Sequence, residues 1–146
     1  MAAADGLALA AGRAIAAGRV ATGLGLLLAP RPIAKAWIGD LGPGGEAVTR
    51  ALGARDLVMG AITLHTIDHP QVGPRWVATC ALTDLVDGAA TWAARGALPR
   101  TGALGVPLAA VGASAVGVAA SVVLRARAKR LAAGYHAPIV VVPKEA

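Results

Sequence analysis

Residues 102–124, GALGVPLAAVGASAVGVAASVVL, carry no charged side chain. A helix of that length rises about 1.5 Å per residue and reaches about 30 Å, the depth of a bilayer's hydrocarbon core. Three further apolar segments of similar length precede it, at about 6–29, 47–67 and 75–95. Within lipid a backbone finds no water, so each segment must satisfy its own N–H and C=O groups as a helix. No ten-residue run alternates polar with apolar residues, which excludes a membrane barrel. The fold class implied is all-α: an integral membrane up-down bundle of four transmembrane helices. Composition agrees. Hydrophobic residues make up 56% of the 146-residue chain and charged residues 15%, against about 25% charged in a soluble domain. A chain this short has too little interior to hide the excess.

The connectors suit that division. Residues 30–46, PRPIAKAWIGDLGPGGE, are rich in Pro and Gly. Their IAKAWIG portion is expected to lie flat at the interface, with Trp37 at headgroup depth and Lys35 in water. The links at 68–74 and 96–102 are short, which favours antiparallel neighbours. Arg13 and Arg19 interrupt the first apolar run and no basic n-region precedes it, so it reads as a retained helix rather than a leader. RARAKR at 125–130 follows the last segment directly. Its charge argues for a cytoplasmic end, and four crossings then put the N-terminus on the same side. The domain reading is a four-helix transmembrane domain over 1–130 and a C-terminal tail over 131–146, which holds His136.

Six charges fall within the first three segments: Arg19 near the middle of the first with Arg13 about two turns earlier, Arg55 and Asp56 near the middle of the second, and Asp84 and Asp87 near the middle of the third. A lone Arg or Asp at the centre of an inserted helix costs roughly 2.5–3.5 kcal/mol. One Leu or Val returns only about 0.3–0.6 kcal/mol. The charges must therefore turn inward and pair. Asp84 and Asp87 share a face at i and i+3, while Gly53, Asp56, Gly60 and Thr63 share a face of the second segment. Arg55 points away from that face, toward the first segment or another neighbour. Two readings follow. The six form an ion-pair network that sets helix register, or they line a polar pocket for a ligand, proton or ion. Asp84 and Asp87 are the candidate catalytic acids.

Other signals are weaker. His65 and His69 stand at i and i+4 and would reach one metal only on a continued helix; Pro70 follows and no third ligand is evident, so no metal is assigned. Cys80 is single and reads as a packing residue. Trp76 and Trp92 suit an aromatic belt. Gly105, Ala109 and Gly112, then Ala113, Gly117 and Ser121, form small-xxx-small rows for bundle packing or self-association. The net charge is +6, but no basic stripe is interleaved with aromatics, so nucleic acid is not an expected partner. Neither GLG at 23–25 nor GPGG at 42–45 is followed by the Lys-Ser/Thr of a phosphate loop. No cofactor is implied.

The stretches LAPRPIAKAWIG, RALGARDLVMGAITL and, after Trp76, TDLVDGAATW resemble small four-helix integral membrane proteins common in actinobacteria. Many of these carry a Gly-Ala-Arg-Asp/Glu stretch in the second helix and an Asp in the third. The absence of Phe and Asn, with abundant Ala, Gly, Val and Arg, fits a GC-rich bacterial genome. The resemblance spans about 10–95. It implies the four-helix fold and an inner-membrane location, and carries over no catalytic role. The leading functional expectation is a multi-pass inner-membrane protein that acts as an accessory subunit or binds a small apolar ligand near the charged cluster. Its partners would be the bilayer, a second copy or a membrane protein, and a lipophilic small molecule. The alternatives are a membrane enzyme using an Asp as Brønsted acid on a prenyl, polyene or epoxide compound, and a proton- or ion-coupled transporter subunit.

Overall fold

Proline placement sets the boundaries of the helices. In the computed structural model, which describes residues 1–135, α1 runs Ala2–Leu28 and stops where Pro30 forbids continuation. Helices α2 (Pro30–Ile38), α3 (Pro43–Thr66) and α4 (Gly73–Ala93) each carry a proline in the first turn, where its missing N–H has no intrahelical role. Helix α5 runs Arg100–Tyr135 with Pro107 inside it. A short 3-10 turn, Arg95–Ala97, joins α4 to α5. The described residues are all helical, with no strand.

Two boundaries differ from expectation. Residues 30–38 form a true helix, ended by Gly39 at φ 90°, a left-handed backbone that favours glycine. Helix α5 continues well past 124, because Arg, Ala, Lys and Leu are all strong helix formers. The basic run is thus helical, and so are the first five residues of the expected tail. The rest of that tail, with His136, lies outside the described residues.

Helices α1 and α3 form one tight antiparallel pair. Gly23 meets the backbone of Gly53 and Leu57, Gly60 meets Ala16 and Val20, and Gly12 lies under Ile67. Helices α4 and α5 form another, with Gly88 against Ala110 and Gly117 against Ala81. The pairs close into a four-helix ring in the order α1, α3, α4, α5, with every neighbour antiparallel. At one end Ala8, Ile67, Val77, Ala120 and Leu124 form the apolar core, flanked by the Arg130–Asp5 ion pair at 2.6 Å. At the other end α2 crosses the bundle. Its Trp37 Nε1 donates to Thr91 Oγ1 at 3.3 Å and its Ala36 carbonyl accepts from Thr101 at 2.7 Å.

Beside Leu26, Ile67, Val77 and Leu124, many of the buried residues are small. Ala16, Ala34, Ala81, Thr49 and Thr63 are buried, while Leu7, Leu28, Val48, Leu82, Leu108 and Val122 face outward. Two helices, α1 and α5, are long and apolar enough to cross a membrane, and only 28% of each apolar window is buried inside the bundle.

Glu46, in the first turn of α3 ahead of its apolar part, is held by Arg50 and Arg31. The hydrogen bond from Arg50, aided by the two positive charges, keeps its carboxyl below the usual glutamate value of 4.5 despite desolvation. A depressed folded pKa contributes stability above the unfolded value and loses it as pH falls through the folded one. The Glu46 carboxyl carbon, followed by NMR in micelles, should titrate below 4.5. The midpoint should rise in Arg50→Gln; an unmoved midpoint would show that Arg50 is not the cause.

Candidate functional site

At mid-height, three helices place charged groups within reach of one another. Arg19 of α1 is only 6% exposed. Its Nη1 donates to Asp56 Oδ1 at 2.8 Å; its Nη2 donates to Asp84 Oδ1 at 2.5 Å and to the Cys80 carbonyl at 2.8 Å. Arg55 of α3 grips Asp87 of α4 with two hydrogen bonds, Nη1 to Oδ1 at 3.1 Å and Nη2 to Oδ2 at 2.5 Å. It also donates to Asp56 Oδ1 through Nε at 3.3 Å and Nη2 at 3.0 Å. The result is a continuous chain, Asp84–Arg19–Asp56–Arg55–Asp87, that ties α1, α3 and α4 together. Its planar guanidinium forks suit this work, because one Arg can bridge two carboxylates with fixed geometry.

Arg13 does not join the cluster expected of it. It lies about two turns from Arg19 along α1, where the antiparallel register brings it opposite the α3 end, and it pairs with Asp68 at 2.7 Å in an exposed bridge. Asp68 stands at the start of the short link at 68–74. The expected balance of three arginines against three aspartates therefore becomes two against three. Arg55 reaches α4 rather than α1, because its outward offset from the Asp56 face carries it toward the next helix in the ring.

The polar stripe of α4 packs toward α3: Thr63 Oγ1 lies 3.3 Å from Cys80 Sγ, both buried. His65 and His69, the weak metal candidates, do not lie on one continued helix: α3 ends at Thr66, so they do not share a helical face. His69 Nδ1 instead accepts from the Gln71 and Val72 N–H groups, at 3.4 and 3.3 Å. Among the described residues no group of three or more His, Cys, Asp or Glu is arranged to hold a metal. Trp92 stands half-exposed beneath Arg95, whose guanidinium lies 4.6 Å from the ring centre.

Beside the cluster lies a cavity of about 500 Å³. Arg19, Asp56, Asp84 and Asp87 form its floor. Ile15, Gly18 and Thr22 of α1 and Gly105, Val106 and Ala109 of α5 form its walls, and Trp37 of α2 lines it as well. Gly18, Thr22, Gly105 and Ala109 are exposed, so the mouth opens sideways between α1 and α5. A Cβ added at Gly18 or Gly105 would meet nothing within 4 Å. Gly105, expected as a packing residue of the last segment, thus leaves space rather than filling it, and so does Gly18. Their role is invisible in a linear pattern, since Gly23 and Gly18 are alike until a partner helix is placed. Two buried atoms of the floor, Arg19 Nε and Asp84 Oδ2, lack hydrogen-bond partners among the described residues.

No family model, no curated protein and no solved structure matches the chain.

Proposed function

We propose that this protein is a multi-pass inner-membrane binder of a small lipophilic ligand, which enters the mid-height cavity sideways through the gap between α1 and α5. The observation that carries the reading is the cavity itself: an apolar-walled space of about 500 Å³ set directly on an Arg/Asp floor. Ligand sites have this character, apolar walls with a few convergent polar groups, and fall in this size range. A structural ion-pair network needs no adjacent opening.

The membrane part rests on the distribution of side chains. Small residues at the close helix contacts, with many large aliphatic ones facing outward, is the arrangement of helices packed in lipid, where close approach holds them together. Helices α3 and α4 fall short as spans by composition because they carry the charges. Those charges are paired inside the bundle, so all four long helices are taken to cross, with α2 lying over one end. Both the N-terminus and the basic end of α5 lie at the other end, and a cytoplasmic side for that end follows from Arg125, Arg127, Lys129 and Arg130. Membership of the small four-helix actinobacterial membrane proteins is part of the same proposal and rests on the stretches quoted above. The enzyme reading needs a carboxyl presenting a proton to the cavity; Asp84 and Asp87 instead accept hydrogen bonds from Arg19 and Arg55.

Gly105→Leu tests the ligand reading without touching the floor. The leucine fills the cavity, and the helix gains up to about 1 kcal/mol from losing a glycine. Wild type and variant would be purified in one mild detergent and their organic extracts compared by mass spectrometry. A lipophilic species is expected in the wild type and at least tenfold depleted in Gly105→Leu, with no fall in melting temperature. Equal extracts would overturn the reading.

A further inference from the structure

A ligand seated on the cavity floor would meet more acceptors than donors. Two guanidiniums stand against three carboxylates, so one formal negative charge is left over. Asp56 takes all of its hydrogen bonds at Oδ1. Its Oδ2 takes none among the described residues, and Asp56 lines the cavity. Asp84 is bonded through Oδ1 alone, and its buried Oδ2 is unpartnered. On the donor side Arg55 is engaged through Nε, Nη1 and Nη2. Arg55 does not line the cavity, and Nε of the deeply buried Arg19 is sealed from solvent, as Asp84 Oδ2 is, so of these groups Asp56 Oδ2 is the one left to a ligand. An uncompensated charge in an apolar site is costly, and a counter-charge with hydrogen bonds relieves it. Trp37 lines the same cavity, and an aromatic ring attracts a cation but not an anion.

We infer that the ligand is a cationic amphiphile: a compact apolar body bearing one protonated amine, with its N–H groups on Asp56 and its apolar part against Gly105, Val106 and Ala109. An amine supplies both the missing positive charge and the missing donors. An alcohol supplies only a donor, and a carboxylate supplies neither. The inference rests on the cavity being a ligand site.

Three probes sharing one rigid cage separate the two claims: 1-adamantanamine, 1-adamantanol and 1-adamantanecarboxylate, added at pH 7 to the full chain in nonionic micelles. Binding would be measured by equilibrium dialysis, with Gly105→Leu as the background. The amine should bind wild type at least tenfold more tightly than the alcohol, and the carboxylate should not exceed background. Asp56→Asn should abolish the preference for amine over alcohol. If the alcohol or the carboxylate binds as well as the amine, the charge inference falls and the cavity remains a ligand site. If no probe shows binding sensitive to Gly105→Leu, the ligand reading falls with it. The comparison of probes on wild type stands even where Asp56→Asn fails to fold.

Discussion

Arg19→Leu is expected to lower the free energy of unfolding by about 3–5 kcal/mol, the usual penalty for removing one partner of a buried ion pair. Arg19 is the hub of the cluster, donating to Asp56, Asp84 and the Cys80 carbonyl. Its loss affects the two acids unequally. Asp56 keeps Arg55, whereas Asp84 loses the only side-chain donor it has among the described residues. Arg19→Leu combined with Asp84→Asn should therefore recover more stability than Arg19→Leu combined with Asp56→Asn. Arg19→Lys should fall between wild type and leucine, because an ammonium keeps the charge but cannot copy a fork that spans two carboxylates and a carbonyl. Denaturant titration in micelles, followed by circular dichroism, measures all four. Were Arg19→Leu to unfold within about 1 kcal/mol of wild type, as an ordinary surface change does, the cluster would not hold the helices together.

Gly23→Ala should destabilise by about 3 kcal/mol, the upper part of the range for overpacking. An added Cβ would sit 2.5 Å from the Leu57 nitrogen and 2.6 Å from the Gly53 oxygen. Both are backbone atoms, so no rotamer change relieves the clash; α1 and α3 must move apart. Gly53→Ala meets the same obstacle from the other side, 2.8 Å from the Gly23 oxygen. Because Arg19 and Asp56 lie one turn from these glycines, separation also stretches their 2.8 Å bond. Gly6→Ala is the control: nothing lies within 4 Å of its Cβ, so the change should be neutral or stabilise by up to about 1 kcal/mol. The same thermal melt serves all three variants. Equal behaviour of Gly23→Ala and Gly6→Ala would refute the α1–α3 contact.

Much of the architecture was legible because it is written locally. Pro30 stops the first segment wherever the chain is placed, although the helices that begin at Pro30 and Pro43 start within a stretch the sequence reads as a connector. Depth along a helix is a linear property too. Arg19, Arg55, Asp56, Asp84 and Asp87 sit near segment centres, so antiparallel packing had to bring them level. Arg13 was misassigned because depth alone does not say where a register ends: it falls opposite Asp68, outside the cluster. The end of α5 was misjudged for another reason. A basic run marks where lipid should end, and nothing in it requires the helix to end there.

The sequence by itself determined which four long segments become helices, that their charges must pair, and roughly at what level. Propensity, proline chemistry and the cost of an unpaired charge act on each residue without reference to its neighbours in space. Which arginine meets which aspartate, the surplus carboxylate, and the gap between α1 and α5 were decided only by tertiary structure. A partner or a cavity is a relation between surfaces of different helices. Gly23 closes a contact and Gly18 leaves a space, and only the position of the facing helix distinguishes them.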